Sequence, residues 1–388
     1  MNPDRLAEAK DLLARLVAFD SVSDRSNLPV IDFVEGYLAS HGVPVRRAPN
    51  ASGDKAAILA TIGPRADGGI VLSGHTDVVP VAGQAWSSDP FALRAGGDGR
   101  LYGRGACDMK GFDACVLAMV PAFQAAGLKR PVHIVLSYDE ETTCLGSCDV
   151  IAWFGKDEPR PLAAIVGEPT LMKVADAHKS VASIRTVVAG HEAHSAMPQL
   201  GANAVAVAAD IVSEIGRLAL QYEKGPLDER FTPPYSTLHV GNIHGGTARN
   251  ILAKECVFQW EFRGLPGATT ASAMAKVEAY VDAAALPRLR RFVPDPTIAT
   301  RLEVDVPPLA AEPGSAAETL ALSLAGSNRT IAVSYATESG HFQAAGLPTV
   351  VCGPGSIDQA HKPDEFVEES QLAACLAFLD GLARNLSR

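Results

Sequence analysis

The chain has 388 residues, a length that suggests two or three domains, and 47% of them are hydrophobic, enough for sizeable cores. Its formal net charge of -10 argues against a nucleic-acid backbone or an anionic membrane as partner, but leaves anionic small substrates open because local charge governs those. No apolar run is long enough to span a bilayer, no targeting signal is expected at the start, and seven cysteines without a regular framework suit a reducing cytoplasm. Cys144 and Cys148 lack the second pair that a thiolate zinc site requires.

Leu6, Leu12, Leu13, Leu16 and Val17 predict a first helix with Pro3 near its start, and Ile31, Phe33, Val34 and Leu38 a second that ends near Gly42. Residues 56–62 and 69–72 read as strands. The latter delivers Ser73-Gly74-His75-Thr76-Asp77-Val78-Val79-Pro80. On its own this is either a polar strand end or a metal-binding imidazole whose other nitrogen is held by a carboxylate. The glycine-rich stretch 101–111 has neither Walker spacing nor a dinucleotide fingerprint, so it is read as a loop carrying Asp108 to a helix over 114–126. A strand over 132–138 ends in Asp139-Glu140-Glu141, and neighbouring residues of an extended segment point to different sides. A helix over 146–154 and a strand over 163–166 follow, the latter ending in Gly167-Glu168-Pro169-Thr170. This alternation predicts an α/β doubly wound mixed sheet, whose ligand sites lie beyond the carboxyl ends of its strands.

After His178-Lys179 the texture changes. Residues 180–188, 237–243 and 256–262 alternate apolar and polar, as suits a sheet with one solvated face, and helical stretches at 202–220 and 271–285 separate them. With a further strand over 301–306 the order is that of the split βαβ, ferredoxin-like sandwich. The expected organisation is therefore a catalytic domain over 1–179 and 307–388 with an inserted α+β domain over 180–306. Beyond Pro307-Pro308 the α/β pattern resumes with a helix over 315–325 and strands over 330–335 and 348–352. The segment Gly353-Pro354-Gly355-Ser356-Ile357-Asp358-Gln359-Ala360-His361 follows, and then a last helix carrying Leu372, Cys375, Leu376, Phe378 and Leu379.

The strand ends and the loops after them gather His75, Asp77, Asp108, Glu140, Glu141, Glu168 and His361. Two histidines and several carboxylates suit zinc or a neighbouring transition metal, and a pair of metals needs a bridging carboxylate plus one acid left free to move a proton. These segments, together with Gly-Arg-Gly-Ala-Cys-Asp108-Met-Lys-Gly and Ala-His361-Lys-Pro-Asp-Glu, resemble the co-catalytic zinc amidohydrolases over essentially the whole chain. The resemblance implies hydrolysis of an N-acyl-L-amino acid with two Zn2+, Co2+ being able to substitute. It implies that His75 and Glu168 bind one metal, that Glu141 and His361 bind the other, that Asp108 bridges them, that Asp77 orients His75, and that Glu140 is the general base. It further implies that the inserted domain is a lid and homodimerisation module. In that module His194, within Gly190-His191-Glu192-Ala193-His194-Ser195, steadies the oxyanion from the partner subunit. Arg263 and Asn250 contact the substrate, as does Thr337 of the catalytic domain. A serine-hydrolase role for Ser195 lacks a nucleophile elbow, and the sequence assigns no role to His341. A non-catalytic amino-acid-binding relic is disfavoured because every ligand position and Glu140 are filled.

Overall fold

The computed structural model describes residues 3–388 and divides into two compact units. One runs through Ala177 and resumes over Ala311–Ala332 and Thr337–Arg388; the other comprises His178–Ala310 and Val333–Ala336. The short stretches 178–179, 307–310 and Val333–Ala336, placed by the sequence reading with the catalytic domain, cluster with the second unit.

The first unit is built on an eight-stranded mixed sheet. Its order is Val45–Pro49, Ala56–Ile62, Val132–Ser137, Ile70–His75, Ala163–Pro169, Thr349–Gly353, Ala175–His178, Ile331–Val333. The four strands from Val132–Ser137 to Thr349–Gly353 in that order run parallel, and Ala56–Ile62 pairs antiparallel on their flank. Every residue of those four is buried, so both faces of the sheet are covered. Strands buried on both faces must be near-continuously apolar, which is why these were legible as short hydrophobic runs. Leu13 and Leu16 of helix Pro3–Val17, Phe112 and Val116 of Lys110–Ala118, and Leu372 and Leu379 of Glu369–Leu386 share one core with Leu72, Ile134 and Ile165.

Several details depart from the sequence reading, strand Ala175–His178 and helix Ser339–Ala344 among the elements it did not foresee. The helix expected over 114–126 starts at Lys110 and is split into Lys110–Ala118 and Val120–Ala125. Pro121 has no N–H to offer the preceding turn, and the helix resets there. Its early start was hidden by Lys110, a wholly buried cation that donates to the carbonyls of Leu16 and Phe19 at 3.0 Å each. The helix expected over 146–154 is reduced to a 3-10 turn, Leu145–Ser147, and one α turn, Cys148–Ile151. Strand Val45–Pro49 and a three-stranded ribbon of Arg94–Ala95, Arg100–Tyr102 and Phe366–Glu368 were missed, being short and without periodicity.

Close packing behind the strand ends leaves no room at particular glycines. A Cβ on Gly167 would meet the ring of Phe112 at 2.1 Å. We expect Gly167→Ala to cost about 1–3 kcal/mol in a urea melt through overpacking; a wild-type midpoint would show that this wall yields.

The second unit carries a four-stranded antiparallel sheet in the order Thr237–Gly245, Glu255–Arg263, Val181–Ala189, Ile298–Val306. With helices Ala204–Tyr222 and Thr270–Tyr280 between strands, this is the ferredoxin-like arrangement. Ala182, Ile184 and Val188 on one inner strand and Cys256, Phe258, Trp260 and Phe262 on the other are buried at every second position and form the core with Val207, Ile211 and Ile215. The second helix continues past Tyr280 as a π turn, Val281–Ala285, into Leu286–Arg290, the wider turn absorbing Pro287. Among the described residues no helix is long and apolar enough to cross a membrane.

Candidate metal centre

His75 is the last residue of strand Ile70–His75 and is wholly buried. Its Nδ1 is fixed by the carbonyl of Asp77 at 2.9 Å, while the Asp77 carboxylate stands 3.6 Å off. That carboxylate has other work. It accepts from Ser23 Oγ at 2.7 Å and from the N–H groups of Glu140 and Glu141 at 3.2 and 3.3 Å, so Asp77 holds the neighbouring acidic loop as well as His75.

The free nitrogen, His75 Nε2, faces Asp108 Oδ1 at 3.2 Å, Glu168 Oε1 at 3.6 Å and Glu140 Oε2 at 3.9 Å. The other oxygen of Asp108 faces His361 Nε2 at 3.3 Å, and His361 Nε2 also meets Glu141 Oε2 at 2.9 Å. Asp108 thus presents one oxygen to each imidazole, the disposition a bridging ligand needs. Glu140 and Glu141 do not sit on an extended segment as expected. They occupy a turn in which the Asp139 carbonyl accepts from the N–H groups of Thr143 and Cys144 at 2.8 and 2.9 Å. The turn sends Glu140 toward His75 and Glu141 toward His361.

The charges are severe for a buried cluster. Burial, then the charges of Asp108 and Glu140, push Glu168 well above the usual carboxylate range. Burial does the same to Glu140, where Glu141 and Asp108 add to it against the pull of His75. Glu141 is raised to about 7 by burial and by Asp108. Burial disfavours a charged His75, but Asp108, Glu140, Glu168 and Asp77 outweigh it and raise the imidazole well above its ordinary value. His361 is raised to about 10 by its bonds to Asp108 and Glu141. Asp108 is lowered despite its burial, because both imidazoles donate to it. Such a set lacks positive charge. Glu168 Oε1 is moreover buried without a hydrogen-bond partner among the described residues, an expensive state for a carboxylate oxygen. A divalent cation fits this deficit, and the N/O donor set is that of zinc or a close neighbour.

Four relationships to known proteins bear on this geometry. The pattern of peptidase family M20/M25/M40 matches residues 71–385. An acetylornithine deacetylase of Salmonella arizonae is 35% identical over 366 residues, covering 92% of each chain. The chain belongs to that M20 family. Among solved structures, a tripeptidase of Staphylococcus aureus superposes with a TM-score of 0.74 at 18% identity over 99% of both chains. An M20 metallo-carboxypeptidase of Sulfolobus solfataricus gives 0.74 at 17%, covering 98% of this chain and 99% of that one. At those identities the likeness is one of fold. This M20 chain is a metal-dependent amide hydrolase, and its candidate ligands converge at the strand ends of one sheet.

The other residues singled out by sequence fall in different places. His194, Asn250 and Arg263 belong to the second unit. His194 is exposed, its Nδ1 accepting from the N–H of Ala196 at 3.0 Å, and the Asn250 carbonyl accepts from the N–H of Ser195 at 2.9 Å. Arg263 is paired with Glu261 at 2.7 Å. Thr337 is buried in the first unit, its hydroxyl 2.7 Å from that of Ser339. Sequence reasoning missed Glu338, a buried acid whose oxygens accept from Ser73 at 2.5 Å and Ser137 at 2.7 Å, tying together the strands that lead to His75 and Glu140. Cys144, weighed there only as half of a thiolate pair, instead donates its thiol to the carbonyl and carboxylate of Glu140 at 3.2 and 3.4 Å. Burial and the Glu140 charge keep that thiol protonated.

Proposed function

We propose that the chain hydrolyses N2-acetyl-L-ornithine to L-ornithine and acetate, the step that frees the amino acid in arginine biosynthesis. The observation that carries the reading is the convergence of His75, Asp108, Glu140, Glu141, Glu168 and His361 in a chain similar over nearly its full length to an acetylornithine deacetylase. His75 and Glu168 would hold one Zn2+, Glu141 and His361 the other, and Asp108 both; Co2+ can take their place. When bound, such a pair polarises the amide carbonyl and acidifies a water. Glu140 takes the proton of the attacking water and returns it to the leaving amine, a role suited to a carboxyl whose burial makes it a stronger base than a solvated one. Asp77 keeps His75 and the acidic turn in register.

In the same reading the protein is cytoplasmic and homodimeric, with the second unit as lid and dimerisation module. His194 steadies the oxyanion there. Arg263 and Asn250, with Thr337, contact the substrate, and Arg263 exchanges the Glu261 carboxylate for that of the amino acid. We expect His194→Ala to lower kcat about a hundredfold or more with a smaller change in KM; a kcat within about threefold of wild type would remove the oxyanion role. The function is tested by following amine release from acetylornithine, succinyl-diaminopimelate, other N-acyl amino acids and glutamate conjugates. Acetylornithine should give the highest kcat/KM, and fast turnover of another member with none of acetylornithine would move the assignment to that substrate.

A further inference from the structure

Glu365 lies four residues beyond His361 and is buried at 1% exposure. Its Oε1 accepts from the N–H groups of Cys107 at 2.8 Å and Asp108 at 3.0 Å. Its Oε2 accepts from Arg104 Nη1 at 2.7 Å and from the N–H of Gly105 at 3.1 Å. Three of these four donors are main-chain groups of the loop that ends on Asp108. A main-chain N–H cannot shift without carrying its Cα, so this carboxylate fixes the path of the loop and the origin of the Asp108 side chain.

The same cluster reaches His361. Arg104 also donates to Gln84 Oε1, and Gln84 Nε2 donates to the His361 carbonyl at 3.0 Å. The His361 side chain is 53% exposed and its backbone is left-handed at φ 63°. Surrounding walls therefore contribute little to holding the ring, and the tether through its main chain matters correspondingly more. Past Glu365, strand Phe366–Glu368 pairs with Arg100–Tyr102, and the Glu365 carbonyl accepts from the N–H of Gly103 at 2.9 Å. The two ligand loops are thus bound to each other at both ends of the acid.

We propose that Glu365 is a positioning residue, a clamp that couples the loop of Asp108 to the loop of His361 and so sets the side of the centre that these two share with Glu141. The inference rests on the dinuclear reading given above. It is distinct from a purely stabilising buried ion pair, which would affect melting but not discriminate between the two halves of the centre. Glu365 touches no reacting atom; its effect passes through the ligands, in the way that outer hydrogen bonds tune metal affinity.

The test uses full-length protein loaded with Co2+, its visible absorption followed while a chelator withdraws the metal. Wild type should release two equivalents. In Glu365→Gln an amide NH2 replaces one oxygen and faces N–H donors; because Asp108 serves both halves, both equivalents should leave faster, but the one shared with His361 and Glu141 by much the larger factor, about 10–100-fold, with an altered visible band. Wild-type release and spectrum in this variant, whatever its melting temperature, would overturn the clamp, as would equal acceleration of both equivalents. If Glu365→Gln shows no cooperative melt, Glu365→Asp decides instead. It keeps the charge but is one methylene too short for both donor pairs, so selective loss of one equivalent supports the clamp and wild-type release overturns it. Fewer than two equivalents in wild type would overturn the dinuclear reading itself, and the clamp with it.

Discussion

Replacing Glu140 by Gln is expected to lower kcat by about a thousandfold or more while both metals remain bound. The size follows from what a positioned acid–base group contributes, typically 10²–10⁴-fold. The metal content is the sharper half of the prediction. One oxygen of Glu140 lies within the same 4.8 Å cluster as a His75 ring nitrogen and a Glu168 oxygen, a spacing also compatible with a ligand. What separates the two roles is the balance of the set. With Glu140 counted as the base, each half of the centre has one imidazole, one private carboxylate and a share of Asp108. With Glu140 counted as a ligand, the His75 half gains a second private acid and the attacking water has no base beside it. The thiol of Cys144, donating to Glu140 at 3.4 Å, gives the carboxylate a partner of its own and supports the first arrangement. Metal analysis of purified Glu140→Gln should therefore match wild type at two equivalents per chain. Loss of one equivalent together with activity would make Glu140 a ligand and leave the base to be found elsewhere.

What the sequence disclosed, and what it withheld, follows from where each partner lies. His75 and Glu168 were legible because each ends a buried strand, and an apolar run that stops on a titratable group is conspicuous. Asp108 and His361 were legible through their motifs. Glu365 and Glu338 were not, because their partners are main-chain N–H groups and serine hydroxyls more than 200 residues away in sequence. An acid that will be buried looks, in a sequence, like any solvated one. The dual use of Asp77 was hidden for the same reason, since its contacts to Ser23 and to the N–H groups of Glu140 and Glu141 require three distant segments to be in place. The ferredoxin-like sheet was easier, because its inner strands bury every second residue and alternation is a local signal.

Stripping the metals should abolish hydrolysis, restore it on addition of Zn2+ or Co2+, and make the stability gap between loaded and metal-free protein widen as pH rises from about 5 to 8. The sign comes from the cluster itself. Glu141 is raised from 4.5 to about 7 by burial and by Asp108. Above pH 4.5 an unfolded chain releases this proton while the metal-free folded chain retains it, so the folded state binds more protons and its stability falls with pH. Glu140 and Glu168, also raised chiefly by burial, act in the same direction. His361 is raised from 6.5 to about 10 by Asp108 and Glu141; its contribution is full below pH 6.5 and is lost as pH climbs toward 10, again the same sign. Bound cations remove this penalty, because ligands must be deprotonated to bind, and each proton released on binding strengthens the metal about tenfold per pH unit. Groups whose value is lowered have the opposite slope, among them His133, lowered to about 4 by burial, and Lys110, lowered to about 8 by burial. Neither is a candidate ligand, and both are common to the two forms, so they cancel in the difference. Thermal melts of dialysed, metal-free protein and of protein in fixed excess free Zn2+, run in parallel across this range, measure the gap directly. A gap that is flat or narrows with pH would mean that the carboxylates are already charged without metal, and that something other than the cations compensates them.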